Sequence, residues 1–281
     1  MDTPIDNSTT DIVQIDVEGL IKAKNPRLLK FLPGFIIRYL KRIIHQDEIN
    51  KFLRENNDVH DVDFANKAIE LFNTKIVIVG EENIPKEGNP IIISNHPLGG
   101  LDGIVLISTM GKYRNDLVFP VNDLLLFLRN LNGIFLPINK HGRNPSEAVR
   151  IFDEAFASKS NALLYFPAGL CSRKINGEIV DLEWKKTIIT KAKKYQREIV
   201  PIYFDARNSN FFYNLSNIRK FFRIKMNIEM FYLANEMFKQ YNKTFTIYIG
   251  KPIPASTFTR EKTDLQWAQW LKDKVYSMNK N

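Results

Sequence analysis

One of the four histidines stands in a setting suited to proton transfer. In ISNHPLGGLDG, His96 follows Ser94 and Asn95, and Asp102 comes six positions later, after a proline and two adjacent glycines. Pro97, Gly99 and Gly100 favour a tight reversal that brings imidazole and carboxylate within hydrogen-bond reach. A carboxylate on one ring nitrogen selects the tautomer and stabilises the imidazolium. The other nitrogen can then take a proton from an attacking group. The same residues have a plainer reading, with Asp102 capping the helix that follows and His96 a structural loop residue. No serine or cysteine sits in a nucleophile-elbow pattern, so if the pair is catalytic the substrate itself is the nucleophile. Cys171, the lone cysteine, has no second histidine near it in sequence and reads as a small buried thiol. It also excludes a disulfide framework and a cysteine-rich zinc site, and no metal is expected.

Such a pair needs strands to hold it. From residue 74, short β-branched runs alternate with helical patterns. TKIVIVG, PIIISNH, LVFPV, GIFLPIN, ALLYFP, EIVPIYFD and TFTIYIG read as strands. Between them GIVLISTMG, NDLLLFLRNL, NPSEAVRIFDEAFASK with a Ser146 cap, WKKTIITKAKKYQ and the C-terminal stretch read as helices. Short buried strands alternating with helices predict an α/β fold, a mostly parallel central sheet flanked by helices, behind a helical N-terminal extension. Three segments are expected: an acidic stretch over 1–21, a basic helical region over 22–73, and the α/β domain over 74–281.

The 281 residues are 44% hydrophobic and 12% aromatic, enough for a large core and against disorder. Forty Lys and Arg against 31 Asp and Glu give a net +9, which favours an anionic partner. Residues 22–56 alone hold nine cations and three carboxylates, a net +6. There, PGFIIRYLKRIIH places Ile36, Ile37, Leu40, Ile43 and Ile44 on one helical face and Arg38, Lys41, Arg42 and His45 on the other. That pattern suits either a helix packing its stripe on the core or an interfacial helix with its stripe among acyl chains. A second stretch, RNSNFFYNLSNIRKFFRIKM over 207–226, mixes aromatics with Arg219, Lys220, Arg223 and Lys225. Aromatics with cations also suit single-stranded nucleic acid, but no recognition signature accompanies them and no nucleic acid is expected. The N-terminus is acidic and no apolar run reaches about 18 residues, so neither signal peptide nor transmembrane helix is expected.

Four ordered segments resemble the motifs of the glycerolipid acyltransferase superfamily, which includes the lysophosphatidic acid acyltransferases. NHPLGGLDG is similar to the first motif, with five residues between His and Asp where most of the superfamily has four. That spacing is closer to the hemolysin-like ornithine- or glycine-lipid N-acyltransferases. NGIFLPINK resembles the second motif, with Lys140 where the common type has Arg. FPAGLCSR resembles the third, with Ala168 replacing Glu, and IVPIYFDARNS resembles the fourth.

The resemblance implies that His96 is the general base, oriented by Asp102, and that the acceptor attacks an acyl thioester of acyl carrier protein or coenzyme A. No bound cofactor is implied. Asn95, Pro167, Ala168 and Gly169 would line the substrate cleft, and Lys140, Arg143 and Arg207 would hold an acceptor carboxylate or phosphate. Expected, then, is a peripheral enzyme on the cytoplasmic face of an anionic membrane, acylating a small amine or a lysolipid. N-acylation of glycine or ornithine is the first expectation and O-acylation of a lysophospholipid the alternative. A different class, a non-catalytic lipid- or nucleic-acid-binding protein, would have no use for the His–Asp pair.

Overall fold

The computed structural model describes residues 14–24, 26–121, 125, 128–137 and 145–279. Among these residues five helices come first: α1 (Val17–Lys24), α2 (Pro26–Phe31), α3 (Gly34–Ile44), α4 (Gln46–Glu55) and α5 (Asp61–Leu71). Then follow β1 (Lys75–Val79), β2 (Ile91–Ser94), α6 (Leu101–Met110), β3 (Leu117–Val121), β4 (Phe135–Pro137), α7 (Pro145–Ala157) and β5 (Ala162–Tyr165). A hairpin of β6 (Arg173–Ile175) and β7 (Glu178–Val180) intervenes before α8 (Thr187–Tyr195) and β8 (Ile199–Asp205). The chain closes with α9 (Asn210–Phe221), α10 (Leu233–Phe238), β9 (Thr244–Ile249) and α11 (Asp264–Ser277).

Seven strands make one sheet in the order β1-β9-β8-β2-β5-β3-β4, parallel at every pairing except β8 with β9. This is the mostly parallel α/β architecture that the alternating pattern predicts. β2 lies at its centre with all four residues buried, because helices cover both faces. The two-residue alternation divides the registered neighbours. Ile92, Leu164 and Val200 pack with α5 and α6, while Ile91, Ile93, Leu163 and Ile199 pack with α8 and α11. Each such isoleucine contributes roughly 1.5–3 kcal/mol by leaving water. Leu53, Phe64 and Phe72, from before residue 74, share the first of these cores.

The amino ends of the central strands are tied by one side chain. Arg197, fully buried, donates to the carbonyls of Asn89, Pro90, Ala155, Phe156 and Asn161. Burial lowers its pKa to about 10, which still leaves it charged at neutral pH. Pinning that edge leaves the carboxyl edge, where β2, β5, β8, β3 and β4 all end, for the loops.

Two local expectations are corrected. Of the helix expected over 122–131, the described residues Arg129–Leu131 form a 3-10 turn instead, where the Asn130 amide donates to the carbonyls of Asn56 and Val59 and so holds the turn against the start of α5. α7 begins at Pro145, whose fixed φ suits a first helical position, so Ser146 lies inside the first turn and is no cap. On α3, Ile43 is buried and Ile36, Ile37, Leu40 and Ile44 are half-buried, so the apolar stripe packs in large part on protein. His45 is packed too, stacked on Phe238 at 4.0 Å. Outward instead point Phe31, Phe35 and Tyr39, beside Arg38 and Arg42.

Candidate active site

β2 carries the chain to the carboxyl edge of the sheet and releases it into the turn containing His96. The His96 Nδ1 stands 2.9 Å from Asp102 Oδ2, with the histidine side chain 15% exposed and the aspartate fully buried. Phe166, just after β5, stacks on the imidazole with centroids 3.9 Å apart and an 18° interplanar angle, which fixes the ring plane. With Nδ1 held by the carboxylate, Nε2 is left to meet a substrate. Such a pair can accept a proton from a hydroxyl or amine and return it to a leaving group.

Asp102 sits second in α6 and does two jobs at once. Oδ2 also accepts the N–H groups of Leu98 at 2.9 Å and Gly99 at 3.3 Å, and Oδ1 accepts those of Gly100 and Gly103, both at 3.0 Å. The helix-anchoring reading and the catalytic reading of this residue are therefore compatible. Burial pushes the carboxyl up, but the charge of His96 and the hydrogen bonds from His96, Leu98 and Gly99 outweigh it and hold the group below its ordinary range. The turn requires glycine at 99. Its φ is +78°, and a Cβ there would stand 2.9 Å from the Leu233 side chain.

The other expected site residues are dispersed. Asn95 is buried, and its side chain is tied to Phe204, whose N–H donates to Oδ1 at 2.7 Å and whose carbonyl accepts from Nδ2 at 3.0 Å. It joins β2 to β8. Pro167 and Ala168 are buried and Gly169 is exposed, at φ +68°. Proline has no N–H and Gly169 donates to the Phe166 carbonyl at 3.0 Å, so only Ala168 retains an amide without a protein acceptor among the described residues. Arg207 is exposed just beyond β8, donates to Asn210 at 2.6 Å and lines a pocket of about 460 Å³ with Glu236, Lys239 and Lys243. Lys140 and Arg143 lie outside the described residues. Cys171 is a buried thiol, pushed up to about 11 by burial, with Arg173 Nη1 2.9 Å from its sulfur. No group of three or more His, Cys, Asp or Glu stands together to hold a metal among the described residues.

One residue of the site escaped the sequence reading. Asp181, fully buried after the β6–β7 hairpin, accepts the His96 backbone N–H at 3.2 Å, the Ser172 hydroxyl at 2.6 Å and the Trp184 indole N–H at 2.9 Å. Ser172 in turn donates its own N–H to the His96 carbonyl at 2.8 Å. Both polar groups of the His96 backbone are thus gripped from the hairpin side. Only the hairpin before it has a local signal, Asn176-Gly177, an Asn-Gly pair with φ of +50° and +88° that suits a two-residue turn. Asp181→Ala leaves three buried donors without an acceptor. Thermal and denaturant unfolding should show a loss of about 3 kcal/mol or more, and kcat should fall on the order of 10²-fold as the imidazole shifts.

A family model described as Acyltransferase matches residues 19–281. The chain belongs to this acyltransferase family. Two curated relatives agree. The chain is 48% identical over 265 residues to a lyso-glycine lipid O-acyltransferase of Bacteroides thetaiotaomicron, covering 94% of this chain and 97% of the relative. It is also 48% identical over 268 residues to the protein of the same name from Phocaeicola vulgatus, covering 95% and 96%. The crystal structure of the 1-acyl-sn-glycerophosphate (LPA) acyltransferase PlsC from Thermotoga maritima aligns over 94% of this chain and 92% of that one, at 17% identity and a TM-score of 0.49. The enzyme is therefore an acyltransferase of lipid biosynthesis in the glycerolipid acyltransferase superfamily, as its four motifs imply.

Proposed function

We propose that this acyltransferase O-acylates a lysolipid at a bilayer surface, with a glycine-headed lysolipid as acceptor. The observation that carries the chemistry is the buried His96–Asp102 contact at 2.9 Å. In this reading His96 Nε2 takes the proton of the acceptor hydroxyl as its oxygen attacks the thioester carbonyl. The C–S bond breaks, and the leaving thiolate recovers the proton from the imidazolium. Acyl carrier protein or coenzyme A carries the acyl group. Arg207, Lys140 and Arg143 are the cations proposed for the headgroup carboxylate.

The choice of acceptor rests on the relatives, which by name acylate the oxygen of a lyso-glycine lipid. They favour the lysolipid alternative over N-acylation of free glycine or ornithine. Ala168, where the superfamily's common type has glutamate, also separates this enzyme from glycerol-phosphate acceptors. We place the enzyme peripherally on an anionic, cytoplasm-facing membrane surface. No helix among the described residues is long and apolar enough to cross a membrane.

The deciding assay offers the purified enzyme acyl carrier protein and coenzyme A thioesters with four acceptors: lyso-glycine lipid, free glycine, free ornithine and lysophosphatidic acid. Product with the lyso-glycine lipid alone is expected. Acylated free amino acid would return the reaction to nitrogen, and no product with any acceptor would sink the reading.

A further inference from the structure

We propose that the end of α9 and the turn behind it form a membrane prong that docks on anionic lipid. The proposal rests on the reading above that the acceptor lies in a bilayer, and it adds an element remote in sequence from the basic N-terminal helices. Every residue from 220 to 227 is exposed, so the chain protrudes there. Large apolar side chains lead: Phe221 is 81% exposed, Phe222 67%, Met226 60% and Ile218 54%. Lys220, Arg223 and Lys225 are interleaved with them, and residues 207–226 contain no carboxylate. A convex tip of aromatics ringed by cations matches a bilayer interface, where rings enter below the headgroups and cations remain at the phosphates. A protein partner or a nucleic acid would be met more naturally by a groove or a flat face, and a solvent-exposed tip offers neither.

The prong is stiff. Arg219, buried within it, donates to the Ile224 carbonyl at 2.9 Å and pairs with Glu229 at 2.8 Å. Glu229 also takes Arg173 at 3.2 Å. Arg173 directly follows Ser172, whose N–H holds the His96 carbonyl. Prong and dyad are therefore mounted on one braced stretch, which sets the position of His96 relative to the lipid surface. The 3-10 turn Ile228–Tyr232 behind the prong also contacts α3, where the Tyr39 and Tyr232 hydroxyls meet at 2.7 Å.

The test uses the full chain and two variants, Phe221→Ser with Phe222→Ser, and Lys220→Gln with Arg223→Gln and Lys225→Gln. Sedimentation is measured with phosphatidylcholine vesicles and with vesicles containing about one-third phosphatidylglycerol. Each variant should lose about tenfold or more in partition to the anionic vesicles. Transfer to a short-chain acceptor dissolved as monomers should be unchanged, and transfer to a vesicle-embedded acceptor should fall. Unchanged partition in both variants overturns the prong. So does unchanged partition with a raised KM for acyl carrier protein, which would make the tip a protein-docking surface. If no acceptor is acylated by any form, the transferase reading fails, and vesicle partition still decides the prong.

Discussion

His96→Ala is expected to lower kcat by about 10³- to 10⁴-fold while the protein stays folded. The two halves of that expectation come from different contacts. Chemically, removing the imidazole leaves no other group in the turn able to take a proton, because Asp102 is fully buried and Cys171 is a neutral thiol locked beside Arg173. Structurally, Asp102 loses one partner and keeps four, the N–H groups of Leu98, Gly99, Gly100 and Gly103. No buried charge is orphaned, so the usual penalty for breaking a buried pair does not apply. What is lost is the stack on Phe166, at about 1 kcal/mol. A steady-state assay beside a thermal melt checks both halves. Retained turnover would remove His96 from the mechanism, and a collapsed fold would show that the ring matters to the turn more than its 15% exposure suggests.

That separation between catalysis and scaffold also explains what could be read from the sequence. The alternation of buried strand and helix follows from local periodicity, and so does the placement of His96 at a strand end, because Ile91–Ile93 leaves no alternative to a central strand. The His–Asp contact was legible too, since six residues with a proline and two glycines permit few other geometries. Less visible were features fixed by tertiary partners. Asn95 beside the base looks like a substrate ligand, and only the pairing of β2 with β8 shows that Phe204 occupies its amide. The α3 stripe looks equally suited to lipid or protein, and the choice depends on α10 and on the turn at Ile228–Tyr232, about 190 residues away. Asp181 is a lone acid after a short hairpin, and its grip on the His96 backbone is a long-range contact that no local pattern encodes.

Asp102→Asn should be nearly as damaging to turnover and, unlike His96→Ala, should also weaken the fold. The amide has one acceptor end where the carboxylate has two. If its NH₂ takes the place of Oδ2, it confronts the N–H groups of Leu98 and Gly99 and turns a hydrogen toward His96 Nδ1. Nδ1 must then accept, the proton moves to Nε2, and the base is lost. If the NH₂ takes the place of Oδ1, it confronts Gly100 and Gly103, and the imidazole loses the charge that stabilises its protonated form. Either orientation predicts a kcat loss on the order of 10³- to 10⁴-fold. Two buried donor–donor conflicts should cost roughly 2–4 kcal/mol in denaturant unfolding at neutral pH.

The pH dependence of that cost has a definite sign. The folded state holds Asp102 below its ordinary range, so its charge-linked stability is present above about pH 4, near the unfolded carboxyl value, and is lost as pH falls through the folded one. The stability gap between wild type and Asp102→Asn should therefore narrow on acidification. Asp181 is pushed the other way by burial, so the gap for Asp181→Ala should be widest in acid and shrink as pH rises through its raised value. Unfolding curves for both variants across the acid range read the two slopes side by side. Parallel slopes would show that the two carboxylates do not differ as their contacts require, and that the dyad carboxylate is not the one held ionised.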